Sequence, residues 1–305
     1  ITNLHDMRRG NKWLTTITAA CLALGCASGV AWAGDKPHGT LKQRIELGLS
    51  GVSPHADLQS NGTTRLYYPS FSLNGTAIAQ CTVKGACEMV GSLQGISDLT
   101  DVVTADGSRR AYYIVMDPNS KRKEIYTAPM TADGLALGEG ISLGINDGGA
   151  MAWGVPDAVV IPDGRVRIYW VEPDPQGRRA SEVIVSATST DTSGTSFVRD
   201  RGYRTTRGIV DFEVLNAKTG AWLAIAATTP EDPKNPQRLL LASSKDGLKW
   251  KINRKSLTPS SMSYLDPTGI RIGPRRYRIY YAKAPNALGE RAYALEQAVL
   301  TIKKK

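Results

Sequence analysis

The sequence predicts an all-β protein, a five-bladed β-propeller, from three observations. A phrase made of an acidic residue, a short apolar strand, a turn and a second strand ending in aromatics occurs five times. Apolar and polar residues alternate within the copies, as in residues 166–169 (Val-Arg-Ile-Tyr), which is the pattern of a strand. The repeat length, about 50 residues, suits a blade better than the faster turns of a sandwich. The copies begin at Asp57, Asp101, Asp157, Asp211 and Asp266.

The N-terminal segment predicts an exported protein. Residues 7–12 are basic, residues 13–30 are mostly apolar, and Ala31-Trp32-Ala33 matches a small-residue cleavage site. We therefore expect a signal peptide with upstream residues at 1–33 and a single propeller domain at 34–305, secreted or periplasmic and monomeric. Lipoprotein processing at Cys26 is the alternative. No other segment is long and apolar enough for a membrane span.

Two cysteines remain once the leader is set aside. Cys81 and Cys87 flank a short turn-like segment. In an oxidising compartment such a pair predicts a disulfide across a hairpin more readily than a metal or catalytic site.

The charge is basic but diffuse. The chain has a formal net charge of +10, with its Lys and Arg residues spread over turns, strand edges and the tail. This favours a soluble surface, with attraction to an anionic wall polymer as the second interpretation. Nucleic acid is not expected as a partner, because no basic-aromatic stripe accompanies the charge.

The blade elements follow in order. Asn61-Gly62, Asp106-Gly107 and Asp163-Gly164 predict tight hairpins, because glycine accepts the positive φ that such turns require. Third strands are predicted at 124–128, 182–187 and 238–243. Residues 41–49 form an orphan strand, and pairing it into the last blade would close the ring and remove two open edges.

A further phrase follows the third strands. Residues 244–250 (Ser-Lys-Asp-Gly-Leu-Lys-Trp) are its best copy, with looser copies at 131–134 and 189–197. The phrase resembles the Asp-box hairpin of sialidase-like propellers, where the aspartate folds the turn and the aromatic packs between strands. That resemblance implies a structural role.

Carboxylates at one repeated position are the candidate chemistry. The sequence has no nucleophile elbow, His-Glu-x-x-His motif, phosphate loop or dinucleotide fingerprint, and only His38 and His55 lie outside the leader. The first strand of each propeller blade lines the central channel, so we expect the five aspartates around one funnel. Neighbouring carboxylates raise the pKa of at least one of them, as glycoside hydrolysis requires. We expect no cofactor, and a calcium ion in the channel is left open.

The chain resembles the five-bladed propeller glycoside hydrolases, the arabinanase, xylosidase and fructosidase-like group. The resemblance covers most of the chain as a blade pattern and is sharpest at residues 155–170 and 265–267. It implies that Asp57 is the general base or nucleophile and that Asp211 or Glu213 is the acid. It also implies that Asp157 tunes a pKa in the site and orients the catalytic groups. Two departures are that Asp57 lacks a following proline and that the acid does not stand in Glu-Gly-Pro.

Two residues stand out because they break the repeat. Glu213 has no acidic counterpart two residues after the other aspartates, and period-two alternation places it on the same side as Asp211. Trp153 lies in a glycine-rich loop before Asp157, where a sugar-stacking platform would stand. We expect substrate contacts from Asp101, Trp153, Asp266 and His55.

Three alternatives remain open at this point. The repeated aspartates could only bond backbone amides of the next blade. The propeller could bind a carbohydrate or a protein without catalysis. A sialidase-like enzyme is the third possibility, although the Arg-Ile-Pro motif of sialidases is missing.

Overall fold

The protein is a five-bladed β-propeller in a computed structural model, which describes residues 36–145, 154–174, 182–206, 208–229, 236–285 and 292–303. Five four-stranded antiparallel sheets account for all the regular structure of these ranges, and no helix occurs in them. The predicted fold class is confirmed. The predicted leader, Cys26 and Trp153 lie outside the described residues.

Each blade is a four-stranded meander. Blade 1 contains β2 (His55–Leu58), β3 (Thr64–Pro69), β4 (Gly75–Cys81) and β5 (Cys87–Gln94). Blade 2 contains β6 (Ser97–Val103), β7 (Arg109–Met116), β8 (Lys123–Pro129) and β9 (Ile141–Ser142). Blade 3 contains β10 (Gly154–Val160), β11 (Val166–Pro173), β12 (Glu182–Ser189) and β13 (Phe197–Arg199). Blade 4 contains β14 (Ile209–Lys218), β15 (Ala221–Thr228), β16 (Leu239–Ser244) and β17 (Trp250–Asn253). Blade 5 contains β18 (Ser263–Gly273), β19 (Arg276–Ala284), β20 (Ala294–Ile302) and β1 (Gly39–Ser50).

The last blade is closed by the first described strand. β1 pairs antiparallel with β20, from Gly39 opposite Ile302 to Ser50 opposite Ala294. The predicted closure is thus confirmed, and it gives β20 a partner on both sides.

The hydrophobic core lies between neighbouring blades. One cluster joins Tyr112 and Ile125 of blade 2 to Ile168 and Val185 of blade 3, and all four are fully or almost fully buried. Alternation along the second and third strands presents apolar side chains to both adjacent blades, so each sheet is buried on two faces.

The outer hairpins connect neighbouring blades through a contact that we call the outer latch. In it, a buried tyrosine on the second strand of one blade donates its hydroxyl hydrogen to a glycine carbonyl in the outer hairpin of the next. The three latches are Tyr67–Gly134 (3.0 Å), Tyr112–Gly194 (2.9 Å) and Tyr169–Gly247 (2.8 Å). These glycines have φ of +70°, +66° and +73°. The hairpins are the predicted phrases around Asp133, Asp191 and Asp246.

The joint between blades 5 and 1 is built differently. Tyr280 stands where a latch tyrosine would, but its buried hydroxyl has no hydrogen-bond partner in the described chain. The facing outer hairpin of blade 1 carries the Cys81–Cys87 disulfide, which confirms the predicted pairing. Gln297 of β20 donates to the carbonyl of Val83 in that hairpin at 2.9 Å.

Each blade has a residue in the left-handed region of φ, within its inner strand in blades 2 to 5 and two residues before it in blade 1. These residues are Ser53, Asp98, Val155, Asp211 and Asp266, with φ between +45° and +52°. Pairing with the second strand shifts register beside four of them, in blades 2 to 5. Non-glycine residues adopt this conformation rarely, and bulges of this kind re-aim neighbouring side chains. The four bulges and Ser53 surround the propeller axis.

Candidate functional site

A cavity lies at the propeller axis where the inner strands begin. Its empty space is about 300 Å³ with open solvent included, but the enclosed part is only about 20 Å³, enough for on the order of one water molecule. All five blades contribute to its wall, through residues at or near the four bulges and Ser53. The polar side chains in the wall are Ser53, His55, Asp98, Asp157, Glu213 and Asp266.

Three aspartates at the bulges link adjacent blades. Asp211 accepts a hydrogen bond from the amide of Asp266 at 3.2 Å, and Asp266 accepts one from the amide of Ser53 at 2.9 Å. Asp98 accepts one from the amide of Val155. Burial is the largest cause of the raised pKa of all three, and the charge of Asp266 raises that of Asp211 further. These contacts match the structural alternative for a repeated aspartate.

The residues two positions after the left-handed residues form a second set of contacts. Three of these side chains accept a hydrogen bond from a backbone amide of the next blade, and His55 lies beside one. The hydrogen bonds are Thr100 with Ala158 N (3.3 Å), Asp157 with Val214 N (2.8 Å) and Glu213 with Gly269 N (3.4 Å), and His55 Nε2 lies 3.3 Å from Asp101 N. We call the contacts of these two sets together the axial contacts.

Asp157 and Glu213 form a carboxyl pair in the cavity wall. Burial, followed by the charge of Glu213 and a hydrogen bond to it, raises the pKa of Asp157 well above its usual range. Burial also raises the pKa of Glu213, while the charge of His55 and hydrogen bonds from Asp157 and Thr268 oppose the rise. The pair therefore retains a proton at a pH where isolated carboxyls have lost theirs, and Asp157 is the stronger holder. Glu213 is the more exposed of the two.

His55 faces this pair and is held from behind by blade 2. Its Nε2 lies 3.0 Å from Asp101 Oδ1, and Arg109 donates to both oxygens of Asp101 at 2.7 and 3.0 Å. Arg109 also bonds Asp57 at 2.8 Å. Burial alone would raise the pKa of Asp101, but His55 and Arg109 lower it to about 2. Burial alone would lower the pKa of His55, but Asp101, with the charges of Glu213 and Asp57, raises it.

The structure places only part of the predicted site at the cavity. Asp157, Glu213, Asp266 and His55 line it. Asp211 does not, because its side chain is buried against Gln237 and the next blade. The expectation that alternation puts Asp211 and Glu213 on one side fails at the Asp211 bulge.

Asp57 and Asp101 require the same correction. Neither lines the cavity, since both are bound by Arg109 behind His55. The blade-1 position equivalent to Asp211 and Asp266 is Ser53, which is followed by Pro54, and not Asp57.

Asp98 is the cavity carboxyl that sequence reasoning missed. The signal that finds it is the second-strand tyrosine, because Tyr67, Tyr112, Tyr169 and Tyr280 stand opposite His55, Thr100, Asp157 and Thr268. Counting two residues back from these partners gives Ser53, Asp98, Val155 and Asp266. Alignment on the acidic residues instead shifts blades 1, 2 and 3 out of register.

The cavity wall is acidic although the chain is basic. Four carboxyls and one imidazole line it, with no arginine or lysine among its described residues. A cavity of this kind disfavours anionic ligands. The described ranges also contain no group of three or more His, Cys, Asp or Glu residues arranged to hold a metal ion. Nor do they contain an apolar helix long enough to cross a membrane.

Comparison with solved structures finds the same fold in glycoside hydrolases. An endo-arabinase from Bacteroides thetaiotaomicron superposes with a TM-score of 0.65 at 9% identity, over 88% of this chain and 98% of that one. A family 117 glycoside hydrolase from Zobellia galactanivorans gives 0.58 at 12% identity, over 88% and 92%. The catalytic domain of an α-L-arabinofuranosidase from Coprinopsis cinerea gives 0.56 at 10% identity, over 88% and 98%.

These matches concern the fold, since the identities are low. No protein-family model and no curated protein sequence matches the chain significantly. The chain therefore has the fold of the five-bladed propeller glycoside hydrolases, as the sequence resemblance implied.

Proposed function

We propose that this chain is a glycoside hydrolase that binds a glycan at the mouth of the axial cavity and cleaves a glycosidic bond there. One observation carries the proposal: Asp157 and Glu213 share a raised-pKa carboxyl pair in a cavity wall where one member, Glu213, is accessible. Such a pair holds a proton above the pH at which isolated carboxyls lose theirs and can deliver it to the leaving oxygen of a glycoside. The glycoside hydrolases that share the fold support the same substrate class.

Asp157 and Glu213 have different roles in this proposal. Asp157 is only 4% exposed, so its side chain is accessible to Glu213 but hardly to a substrate. It keeps the pair protonated and orients Glu213, which transfers the proton. Thr268 donates to Glu213 Oε1 at 3.0 Å and helps to orient that carboxyl.

The substrate is a neutral glycan in this proposal. The acidic wall would repel a sialic acid or another anionic sugar, and an arginine cluster of the sialidase kind is absent from the described wall. An anionic wall polymer would contact the basic outer surface instead.

We also propose that the protein acts outside the cytoplasm. The leader-like sequence at 1–33 and the Cys81–Cys87 disulfide support this location, because such bonds persist in oxidising compartments.

The test is a screen of the protein against aryl glycosides and plant or microbial polysaccharides. Glu213→Gln should lower kcat/KM about 10²- to 10⁴-fold on substrates with basic leaving groups, and far less on dinitrophenyl glycosides, whose departure needs no proton. Asp157→Asn should abolish activity on the former. Glu88→Gln changes an exposed glutamate and is the matched control.

Unchanged activity in both cavity variants would refute the assignment, as would the absence of hydrolysis on every substrate. One observation favours a second function, glycan binding without cleavage: Asp157 and Glu213 each also accept a backbone amide hydrogen from the next blade. Saturable calorimetric binding of an oligosaccharide, with no new reducing ends released, would identify that function.

A further inference from the structure

We propose that His55 is the general base of this site, and that Asp101 is its positioning residue. The inference rests on the proposed glycoside hydrolysis and names the group that activates the attacking water. It gives a role to Asp57, Asp101 and Arg109, which the cavity wall itself does not use.

The side chains behind His55 hold its ring in place. Asp101 is bound to His55 on one side and held by two hydrogen bonds from Arg109 on the other. Arg109 is fixed in turn by Asp57 at 2.8 Å and by the Tyr67 hydroxyl at 3.2 Å. The Asp101 and Arg109 side chains are only 7% and 10% exposed. The buried Asp101 carboxylate, held by Arg109, therefore keeps the His55 imidazole in one orientation.

This arrangement is costly compared with a neighbouring joint. Thr100 occupies the equivalent position in blade 2 and accepts a hydrogen bond from the backbone of the next blade with a single hydroxyl. Joining blades therefore requires no charge at this position. Buried ion pairs often contribute little net stability. The joint between blades 1 and 2 instead contains four ionisable groups, and their presence indicates a role beyond joining the blades. They are His55, Asp57, Asp101 and Arg109.

The tautomer of His55 also fits a base. Nε2 lies 3.0 Å from Asp101 Oδ1 and 3.3 Å from Asp101 N, and a bond to the ionised carboxylate is the stronger of the two. The neutral imidazole therefore carries its hydrogen on Nε2. Nδ1 then holds the free lone pair, and it has no hydrogen-bond partner among the described residues. The imidazolium that forms on protonation is stabilised by Asp101, as in a hydrolase triad.

The reaction is a single displacement. Nδ1 of His55 accepts a proton from water as the water oxygen bonds to the anomeric carbon. The bond from that carbon to the glycosidic oxygen breaks, and the leaving oxygen takes the proton of the Asp157–Glu213 pair. No covalent sugar intermediate forms, so the anomeric configuration inverts.

Four experiments test the base. First, NMR of the wild-type products should show inversion, and retention would overturn the inference while leaving the proposed function standing. Second, His55→Ala should lower kcat/KM about 10²- to 10⁴-fold. Third, added imidazole should restore part of this activity, but none in Glu213→Gln. His38→Ala, which removes an exposed histidine far from the cavity wall, should match the wild type.

The fourth experiment tests positioning. The groups that face His55 are Asp101 with Arg109 behind it, Glu213, Asp57 and the Tyr67 ring. Asp101→Asn removes the charge that raises the pKa of His55, so that pKa falls. Since the base must be neutral, the acidic limb of kcat/KM moves to lower pH, and the NMR titration of His55 moves with it.

Each outcome bears on the inference. An Asp101→Asn profile and His55 titration at the wild-type pH would refute positioning. A His55→Ala variant that folds by circular dichroism and retains activity within about threefold of the wild type would refute catalysis. Failure of the wild type to hydrolyse any glycoside would instead refute the proposed function on which the inference depends.

Discussion

The outer latches and the axial contacts solve the same problem, joining one blade to the next, with different chemistry. At the rim, neutral tyrosine hydroxyls donate to glycine carbonyls, and these hydrogen bonds involve no carboxyl. At the axis, buried carboxyls with raised pKa values bond backbone amides. Burying a carboxyl is costly compared with burying a hydroxyl. The rim shows that blades can be joined without buried carboxyls, and the proposed function gives the acidity of the axis a use.

Adding a side chain to a latch glycine should have the largest effect on stability. A Cβ on Gly194 would lie 2.3 Å from the Tyr112 hydroxyl, at a φ of +66°. We expect Gly194→Ala to lower the free energy of unfolding by about 3 kcal/mol, from left-handed strain plus loss of the latch. Urea titration measures it.

The control for this variant isolates the strain. Gly107 has φ +85° and open space where its Cβ would lie. Gly107→Ala should cost only about 1–2 kcal/mol. Equal losses in the two variants would show that the latch contributes nothing.

Removing a latch hydroxyl should have an intermediate effect. Tyr112→Phe leaves the buried carbonyl of Gly194 without its 2.9 Å partner, so we expect a loss of about 1–2 kcal/mol. Tyr280→Phe is the matched control, because the Tyr280 hydroxyl is buried and unpartnered in the described structure. It should be neutral or slightly stabilising. A loss in Tyr280→Phe as large as in Tyr112→Phe would contradict the distinction between the latched joints and the closing joint.

Neutralising an axial carboxyl should have the smallest effect and the opposite sign. Because the folded-state pKa of Asp157 lies above its unfolded value, its stabilisation is complete below the unfolded pKa and is lost as pH rises through the folded pKa. Asn imitates the protonated acid and cannot ionise. Asp157→Asn should therefore unfold like the wild type near pH 4.

At pH 8 the same variant should be more stable than the wild type, by about 0.5–2 kcal/mol, although it is inactive. Thermal unfolding at the two pH values measures this difference. Destabilisation at pH 8 would mean that Asp157 serves only to join blades, as the latches do.

The fold could be predicted because its signals are local. The turns at Gly62, Gly107 and Gly164 adopt the positive φ that their sequences require. The second and third strands alternate without interruption, and even the unusual closure by β1 could be inferred from an orphan strand.

The site could be predicted only in part because the bulges leave no mark in the sequence. Asp98, Val155 and Asp211 adopt a left-handed conformation that is usually occupied by glycine, so their sequence does not reveal it. They also interrupt the period-two alternation from which the side-chain directions were predicted. Asp57 and Asp101 therefore seemed equivalent to Asp211 and Asp266. The ion pairs of Arg109 join residues 8 and 52 positions apart, and such a contact becomes visible only after folding.

The pairing of β1 with β20 also sets the order of events as the chain is made. The Ser50 hydroxyl donates to the carbonyl of Tyr293, 243 residues further along the chain. β1 is therefore synthesised early and stays unpaired until β20 has been made. Closing so long a loop is a late and slow step, since contacts distant in sequence form last. Until then, β1 and the open edge of blade 5 can pair with other chains. The strand edges that pair to close the ring in the folded protein are thus open to other chains during synthesis.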